Sequence, residues 1–107
     1  MSEVFIMRDR ISFHEILVEA LGSRNVYFNP PETLKLKYPC IVYSAPADNV
    51  KRADNQIYNR MMQYNVTVID KDPDSEISSR VAELDYCKFT RSFVSANMYH
   101  FAYRIYY

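Results

Sequence analysis

Apolar residues recur at helical spacing near the start of the chain. The residues at these steps of three, four and seven are Val4, Met7, Ile11, Leu17, Val18 and Leu21. Such spacing places side chains on one face of a helix. The pattern predicts a helix from Glu3 to Leu21, with Ser2 as its N-cap and Gly22 as a left-handed residue at its end. A break in the helix between Arg10 and Ser12 is the alternative, because Ser12 and Glu15 also fit a capping box.

Three stretches rich in β-branched and aromatic residues predict strands in the middle of the chain. They run from Val26 to Phe28, from Tyr38 to Ser44 and from Ile57 to Ile69, and the polar stretch from Ala45 to Gln56 predicts a loop. The third strand alternates with period two, as half-buried strands do. Its apolar face carries Tyr58, Met62, Tyr64, Val66 and Val68, and its polar face carries Asn59, Gln63, Asn65 and Thr67.

An acidic run from Asp70 to Glu76 ("DKDPDSE") precedes a second helical stripe. That stripe consists of Ile77, Val81 and Leu84. The run therefore predicts a helix start, with Asp72 as N-cap and Pro73 at the first helical position. The remaining acids, Asp74 and Glu76, would lie in the first turn, at the positive end of the helix dipole.

A calcium site is the alternative interpretation of the same run. Asp70, Asp72 and Asp74 match the spacing of the first ligands of an EF-hand loop, but that loop needs glycine at its sixth position and glutamate at its twelfth. Those positions hold Ser75 and Val81. Neighbouring acids on one loop also do not establish two carboxylates facing each other across a cleft. The cap is the preferred interpretation.

The end of the chain predicts a hairpin. Lys88 to Val94 and Met98 to Tyr107 resemble two strands, and Asn97 between them can take the left-handed conformation. The last strand alternates, with Tyr99, Phe101, Tyr103, Ile105 and Tyr107 expected in the core and His100, Arg104 and Tyr106 expected outside. The whole order predicts a single α+β domain over residues 1–107, with a mainly antiparallel sheet of about four strands packed with two helices.

Composition and charge narrow the range of functions. The chain has 13 basic and 13 acidic residues, which disfavours a general nucleic-acid binder because such proteins carry a basic excess. No segment approaches the length of a membrane helix, so we expect a cytoplasmic protein. Cys40, Cys87, His14 and His100 are isolated, with neither zinc spacing nor a catalytic set. We therefore expect reduced, buried thiols, no metal, no cofactor and no enzymatic activity.

Ten tyrosines and no tryptophan are the compositional anomaly. Tyrosine is favoured at protein interfaces, but it also fills the edges of small sheets, and composition alone does not separate these uses. A third use is base stacking on a sheet face, which needs basic residues among the aromatics. The run from Lys88 to Phe93 comes nearest to that pattern but lacks its glycines.

Several segments, taken in order, resemble a known family. They are "YPCIVYS" (38–44), the polar loop, "YNVTVID" (64–70), "DPDSEI" (72–77) and "HFAYRIYY" (100–107). This order is similar to that of the small tail completion proteins of tailed bacteriophages and prophages, which are related in fold to the tail terminator proteins. The similarity extends from about Val26 onward.

The resemblance implies a structural virion protein without catalysis. Its subunits would form a ring, typically a hexamer, that ends tail-tube growth and joins the tail to the head connector, with DNA passing through. The partners implied are other copies, the tube protein and the connector proteins, and the location is the virion after assembly in the host cytoplasm. The expected interface residues are Lys51, Arg52, Asp54, Tyr58, Arg60, His100, Arg104 and Tyr106. Another head-tail joining protein is the alternative, followed by a single-stranded nucleic-acid-binding sheet domain and, more distantly, a small enzyme.

Overall fold

The computed structural model describes residues 10–45 and 61–107 and confirms the α+β class with two helices on one sheet. The sheet has five strands in the order β1-β2-β3-β5-β4. The elements in chain order are α1 (Arg10–Leu21), β1 (Val26–Phe28), β2 (Cys40–Ser44), β3 (Gln63–Asp70), α2 (Glu76–Ala82), β4 (Cys87–Ser95) and β5 (Met98–Tyr106). The pairs β2/β3, β3/β5 and β4/β5 are antiparallel, and only β1/β2 is parallel. The sheet is therefore mainly antiparallel, as expected.

Helix α1 packs on the sheet with most of the predicted apolar face, since Leu17 and Leu21 are buried and Val18 packs against the core. Its buried residues are Phe13, Leu17, Ala20 and Leu21. Ile11, predicted on the apolar face, is 63% exposed, because a step of two residues from Phe13 turns it to the opposite side of the helix. The helix is continuous from Arg10 across Ser12, so the alternative of a break between these two residues is wrong. Ser2 and residues 3–9 of the predicted helix lie outside the described residues.

The end of α1 follows the prediction. Gly22 has a φ of 87°, in the left-handed region, and its N–H donates to the Val18 carbonyl oxygen at 2.8 Å. Glycine adopts this conformation without the steric cost that a Cβ imposes. The helix therefore stops at Leu21 and the chain turns directly into β1.

The main core lies between the two helices and one face of the sheet. Tyrosines occupy its centre: Tyr43 is 1% exposed, Tyr64 3% and Tyr103 4%. The Phe13 ring stacks on Tyr64, with centroids 4.4 Å apart, and meets Tyr43 edge-on at 5.6 Å. Part of the unusual tyrosine content is therefore used inside the domain.

Strand β3 confirms the predicted alternation over most of its length. Tyr64, Val66 and Val68 are buried against the helices. Gln63, predicted to face outward, is also buried, because it lies beside Tyr106, whose hydroxyl is 3.4 Å from its Oε1. Met62 precedes the strand and is 36% exposed. The predicted loop from residue 46 and the start of the predicted strand, residues 57–60, lie outside the described residues.

A smaller core lies on the opposite face of the sheet. Cys40, Ile69 and Met98 are buried there, and Leu36 packs against them from the connection between β1 and β2. The Lys37 N–H donates to the Tyr27 hydroxyl at 3.2 Å and holds this connection down. The crossover thus covers one end of the sheet's second face.

Both cysteines are free, as predicted. Cys40 is buried and Cys87 is half-buried. Burial raises the pKa of each thiol to about 11. Since the thiolate is the nucleophile, both side chains are weak nucleophiles at neutral pH.

Helix α2 begins later than predicted. Ser75 is its N-cap, and its Oγ accepts from the Ser78 N–H at 3.1 Å. The assignment of Asp72 as N-cap is wrong, because its Oδ1 accepts from the Asp74 N–H at 2.9 Å. Asp70 similarly accepts from the Asp72 N–H at 3.2 Å. Aspartates often bond to their own backbone two residues on, and here this creates consecutive turns before the helix.

The later start moves part of the acidic run out of the helix. Glu76 lies in the first turn as predicted, whereas Asp74 and Pro73 precede the cap. The apolar stripe is retained: Ile77 and Val81 are buried, and Leu84, beyond the helix end, packs against the core.

The hairpin of β4 and β5 turns through two left-handed residues. Asn97 has a φ of 64°, as predicted, and Ala96 has a φ of 53°. Ser95 pairs with Met98 across them, which makes a two-residue hairpin with the geometry of a type I′ turn.

The faces of β5 are largely those predicted. Tyr103 and Ile105 are buried, and Phe101 and Tyr107 pack partly against the core. Tyr99 belongs to neither core cluster, because its partner across the hairpin is Val94, which is 62% exposed. The core therefore ends before this tip of the sheet.

The cap assignment can be tested by replacing Ser75 with alanine. The substitution removes the acceptor for the Ser78 N–H and is expected to lower the free energy of unfolding by about 1 kcal/mol. Asp72→Ala is the matched control, with a smaller expected loss because its turn is exposed. Urea unfolding measures both, and a larger loss for Asp72→Ala would contradict the assignment.

Removal of Ile105 to Tyr107 tests how far stability depends on the last strand. Ile105 is 2% exposed, and the Tyr107 backbone exchanges hydrogen bonds of 2.8 and 2.9 Å with Met62. Losing one buried Ile costs about 1.5–3 kcal/mol before the two tyrosines are counted, against a typical domain stability of ~5–15 kcal/mol. We expect a protein that unfolds far below the wild-type melting temperature. Arg104→Ala, on an exposed position, should retain that temperature.

Candidate functional site

The side of the sheet away from the helices is only partly covered. Partners across an antiparallel pair share a face, so the pairing register assigns each strand residue to one side. The name "open face" is used below for the residues of β4 and β5 on this side. They are Lys88, Arg91, Phe93 and Ser95 on β4, and Met98, His100, Ala102, Arg104 and Tyr106 on β5.

A bulge in β4 determines which residues reach the open face. Phe89 pairs with Tyr103 and Arg91 with Ala102, so Thr90 is an extra residue between them. Its hydroxyl donates to the Ala102 carbonyl oxygen at 2.9 Å. Without the bulge, strict alternation would place Lys88 and Arg91 on opposite faces of the sheet. With it, both lie on the same side.

The charges on the open face have one sign. Lys88 lies directly across from Arg104, and Arg91 lies two pairs further along, on the same side. Like charges at facing strand positions repel. No Asp or Glu occupies a position on this side of any described strand to compensate them. The arrangement favours an anionic partner.

An aromatic row lies beside these charges. The Arg91 guanidinium carbon is 4.7 Å from the centre of the Phe93 ring. That ring stacks on His100, with centroids 4.7 Å apart and planes 18° apart. His100 is oriented by a contact of 3.1 Å between its Nδ1 and the Met98 carbonyl oxygen. The three side chains form a fixed row, with Phe93 still 37% exposed.

Three of the residues predicted for an interface fall within the described part of the chain. Arg104 is exposed and His100 is half-buried, and both lie on the open face, four residues apart on β5. Tyr106 lies on the same face, two residues beyond Arg104, and its N–H donates to the Tyr86 carbonyl oxygen at 3.2 Å. The other predicted residues lie outside the described residues: Lys51, Arg52, Asp54, Tyr58 and Arg60.

Sequence reasoning missed the contribution of β4 to this face. Lys88, Arg91 and Phe93 were not predicted as interface residues. The run from Lys88 to Phe93 was the only indication in the sequence. Strict alternation assigns its residues to the wrong faces of the sheet unless the bulge at Thr90 is known.

The outer edge of β4 is a second unusual feature. All of its nine residues except Cys87 are exposed, including Phe89 at 54% and Val94 at 62%. No strand among the described residues pairs with that edge. Lys88 and Arg91 also fit a purely protective role, because charged side chains discourage edge-to-edge aggregation.

A groove runs between the two helices and the end of the sheet. Its larger part, of about 450 Å³, is lined by Phe13, Ile16, Leu84, Asp85, Tyr86, Ile105, Tyr106 and Tyr107. A smaller part, of about 340 Å³, is lined by Ile16, Glu19, Ala20, Arg80, Glu83 and Leu84. Ile16 and Leu84 belong to both parts, and together they are called the helix groove below.

The helix groove combines an apolar floor with an acidic rim. Glu19, Glu83 and Asp85 are exposed along it. Of the described residues that line it, one is basic: Arg80, whose Nε donates to the Ala20 carbonyl oxygen at 2.6 Å. The rim therefore carries an excess of negative charge.

A cluster of titratable side chains joins α1 to β2. The Tyr43 hydroxyl lies 2.7 Å from His14 Nδ1 and accepts from the Arg10 guanidinium at 3.3 Å. Burial lowers the pKa of His14 below its ordinary value of 6.5, with Glu15 opposing this and Arg10 and Arg24 assisting it. Burial also raises the pKa of Tyr43. The contact is therefore that of a neutral imidazole with a neutral phenol.

Two general features of the described residues are also relevant. Residues 10–45 and 61–107 contain no group of three or more His, Cys, Asp or Glu side chains placed to hold a metal ion. In the same ranges, no helix is long and apolar enough to span a membrane.

The lowered pKa of His14 predicts a dependence of stability on pH. The folded state binds a proton at His14 less readily than the unfolded state, so stability present above pH 6.5 is lost as the pH falls toward the folded pKa. We expect the free energy of unfolding to decline between about pH 7 and pH 5. His14→Gln should reduce this decline, and His100, present in both proteins, cancels in the comparison. Equal pH profiles would contradict the prediction.

Comparisons with known proteins were made at three levels. No family model, no curated protein and no solved structure matches this chain. Its function is therefore inferred from its own residues and their arrangement.

Proposed function

We propose that this chain is a structural subunit of a tailed bacteriophage or prophage. It forms a ring at the head-proximal end of the tail, ends tube growth and joins the tail to the head connector. The segments that resemble tail completion proteins fall, in chain order, on β2, β3, the start of α2 and β5, and β4 is the element between them that carries no such segment. The resembling segments therefore occur in the same order as the elements that build the sheet.

The exposed strand β4 is the observation that carries the proposal. Phe89, Phe93 and Val94 expose large apolar side chains on one strand at the edge of the sheet. Fully burying such a side chain is worth about 1.5–3 kcal/mol. Phe93 lies on the open face, whereas Phe89 and Val94 lie on the helix side of β4. Neighbouring subunits that covered both sides of this strand would therefore gain several kcal/mol before the cost of association. An assembly subunit explains this exposure better than an isolated domain does.

The expected partners are other copies of the chain, the tail tube protein and the head connector proteins. Each contact in such a particle is made between folded surfaces, so the protein needs binding faces and no catalytic group. The open face and the helix groove supply two faces of different character. The finished protein would reside in the virion, after assembly in the host cytoplasm.

Binding of single-stranded nucleic acid is the second candidate. Lys88, Arg91 and Arg104 could contact phosphates, and Phe93 lies among them. The Phe93 ring, however, is already in contact with Arg91 and His100, which leaves less of it for a base. Neutralising about three phosphates would also give only a shallow salt dependence.

Deletion of the gene from the phage or prophage that encodes it tests the proposal. We expect electron microscopy to show separate heads and tails, or tails of irregular length, because the joining ring is absent. Supplying the wild-type chain from a plasmid should restore infectious particles. Normal virions from the deletion strain would contradict the proposed function.

A further inference from the structure

We propose that copies of this chain bind one another head to tail, with the open face of one copy docked against the helix groove of the next. The inference deepens the proposed function and rests on it, because a ring requires repeated contact between unlike surfaces of identical subunits. The occupant of each surface is a second copy of the chain.

Charge segregation is the first observation that supports this contact. The chain has 13 basic and 13 acidic residues and a formal net charge of zero. The strand positions of the open face nevertheless carry Lys88, Arg91 and Arg104 with no acid. Within the part of the chain that the structure describes, the rim of the helix groove carries three acids and one base, Arg80. The two surfaces are complementary in sign.

Among residues 10–45 and 61–107, few charges compensate those on each surface. Lys88 and Arg104 face each other across β4 and β5 and repel. In the groove, Arg80 is already engaged by the Ala20 carbonyl oxygen and lies 3.8 Å from Glu76, outside the rim. Bringing the two surfaces together would place each set of charges against its opposite. Such complementarity steers association and fixes its register.

Shape and polarity agree with the charges. The larger part of the helix groove has an apolar floor that includes Phe13, Leu84 and Ile105 and a volume of about 450 Å³. The open face offers Phe93, with the Arg91 guanidinium over its ring. An aromatic side chain in an apolar pocket beside an arginine is typical of the residues that dominate binding energy at interfaces. Phe93 and Arg91 are therefore placed at the centre of the contact.

The open face and the helix groove of one copy cannot contact each other, because of where they lie on the domain. Apart from Tyr106, which lines the groove from the end of β5, the residues of the open face lie on the side of the sheet away from the helices, whereas the helix groove lies on the helix side. A contact between them is heterologous, and repeated contacts of that kind close into a ring or extend as a filament. A bound nucleic-acid strand would satisfy the cations but would leave the acidic groove without a counterpart.

The test uses two variants with opposite charge reversals. The first, Arg91→Glu with Arg104→Glu, makes the open face acidic, and the second, Glu83→Arg with Asp85→Arg, makes the groove rim basic. Sedimentation velocity at about 50 mM and about 500 mM salt measures association, which salt should weaken through screening. We expect the wild type to associate at low salt and each variant alone to lose at least tenfold in affinity, because its two surfaces then have the same sign.

A mixture of the two variants distinguishes the proposed contact from any other contact between copies. In an equimolar mixture, each reversed surface meets a surface of opposite sign on the other variant, so association should return to near the wild-type level. The matched control is Lys35→Glu with Lys37→Glu, which makes the same change in charge on exposed positions of the crossover. This control should associate as the wild type does. Circular dichroism confirms that each variant is folded.

Three results would overturn the inference. They are a wild type that stays monomeric at low salt, a mixture of variants that does not associate, and a control that loses association as the variants do. A wild type that instead shifts a labelled single-stranded oligonucleotide, with loss in the first variant only, would assign the open face to nucleic acid. Each of these leaves the gene deletion to decide the proposed function independently.

Discussion

The stack of Phe13 on Tyr64 is the contact on which the two layers of this domain depend. A helix of 12 residues such as α1 is marginal alone and needs tertiary contacts. The Phe13 ring supplies such contacts, since it touches the rings of Tyr43, Tyr64 and Tyr107, which come from three strands or strand ends. The helix groove opens beside the same ring. Core packing and the candidate binding surface therefore share side chains, Phe13 and Ile105 among them.

Sequence periodicity was a good guide wherever one face of an element is buried. The core residues of β3 and β5 and the end of α1 at Gly22 follow from it, because burial imposes a regular spacing on strands and helices. The failures lie where local hydrogen bonding competes with spacing. Aspartates of the run from Asp70 to Glu76 close turns on their own backbone, so Ser75 becomes the cap. Aspartate and serine are both good N-cap residues, so only the backbone geometry distinguishes Asp72 from Ser75 as the cap.

The candidate interface was less predictable than the fold. His100 and Arg104 could be assigned outward from alternation in β5, but their neighbours on β4 could not. The bulge at Thr90 shifts the alternation of β4, and no residue type announces it. Charge segregation was hidden for a different reason: equal numbers of acids and bases give a neutral composition whether they are mixed or sorted. The fold alone decides that the cations of the open face and the acids of the groove rim lie on opposite sides of the sheet.

The bulge at Thr90 also bears on how such a protein can change over generations. Because β4 lies outside the main core apart from Cys87, loss or gain of one residue there would exchange the sides of its neighbours while the packed interior kept its composition. A single-codon indel would move Phe89 from the helix side to the open face in place of an arginine or lysine. Binding preference in this fold can therefore drift by insertion and deletion at one edge, independently of substitutions that the core constrains.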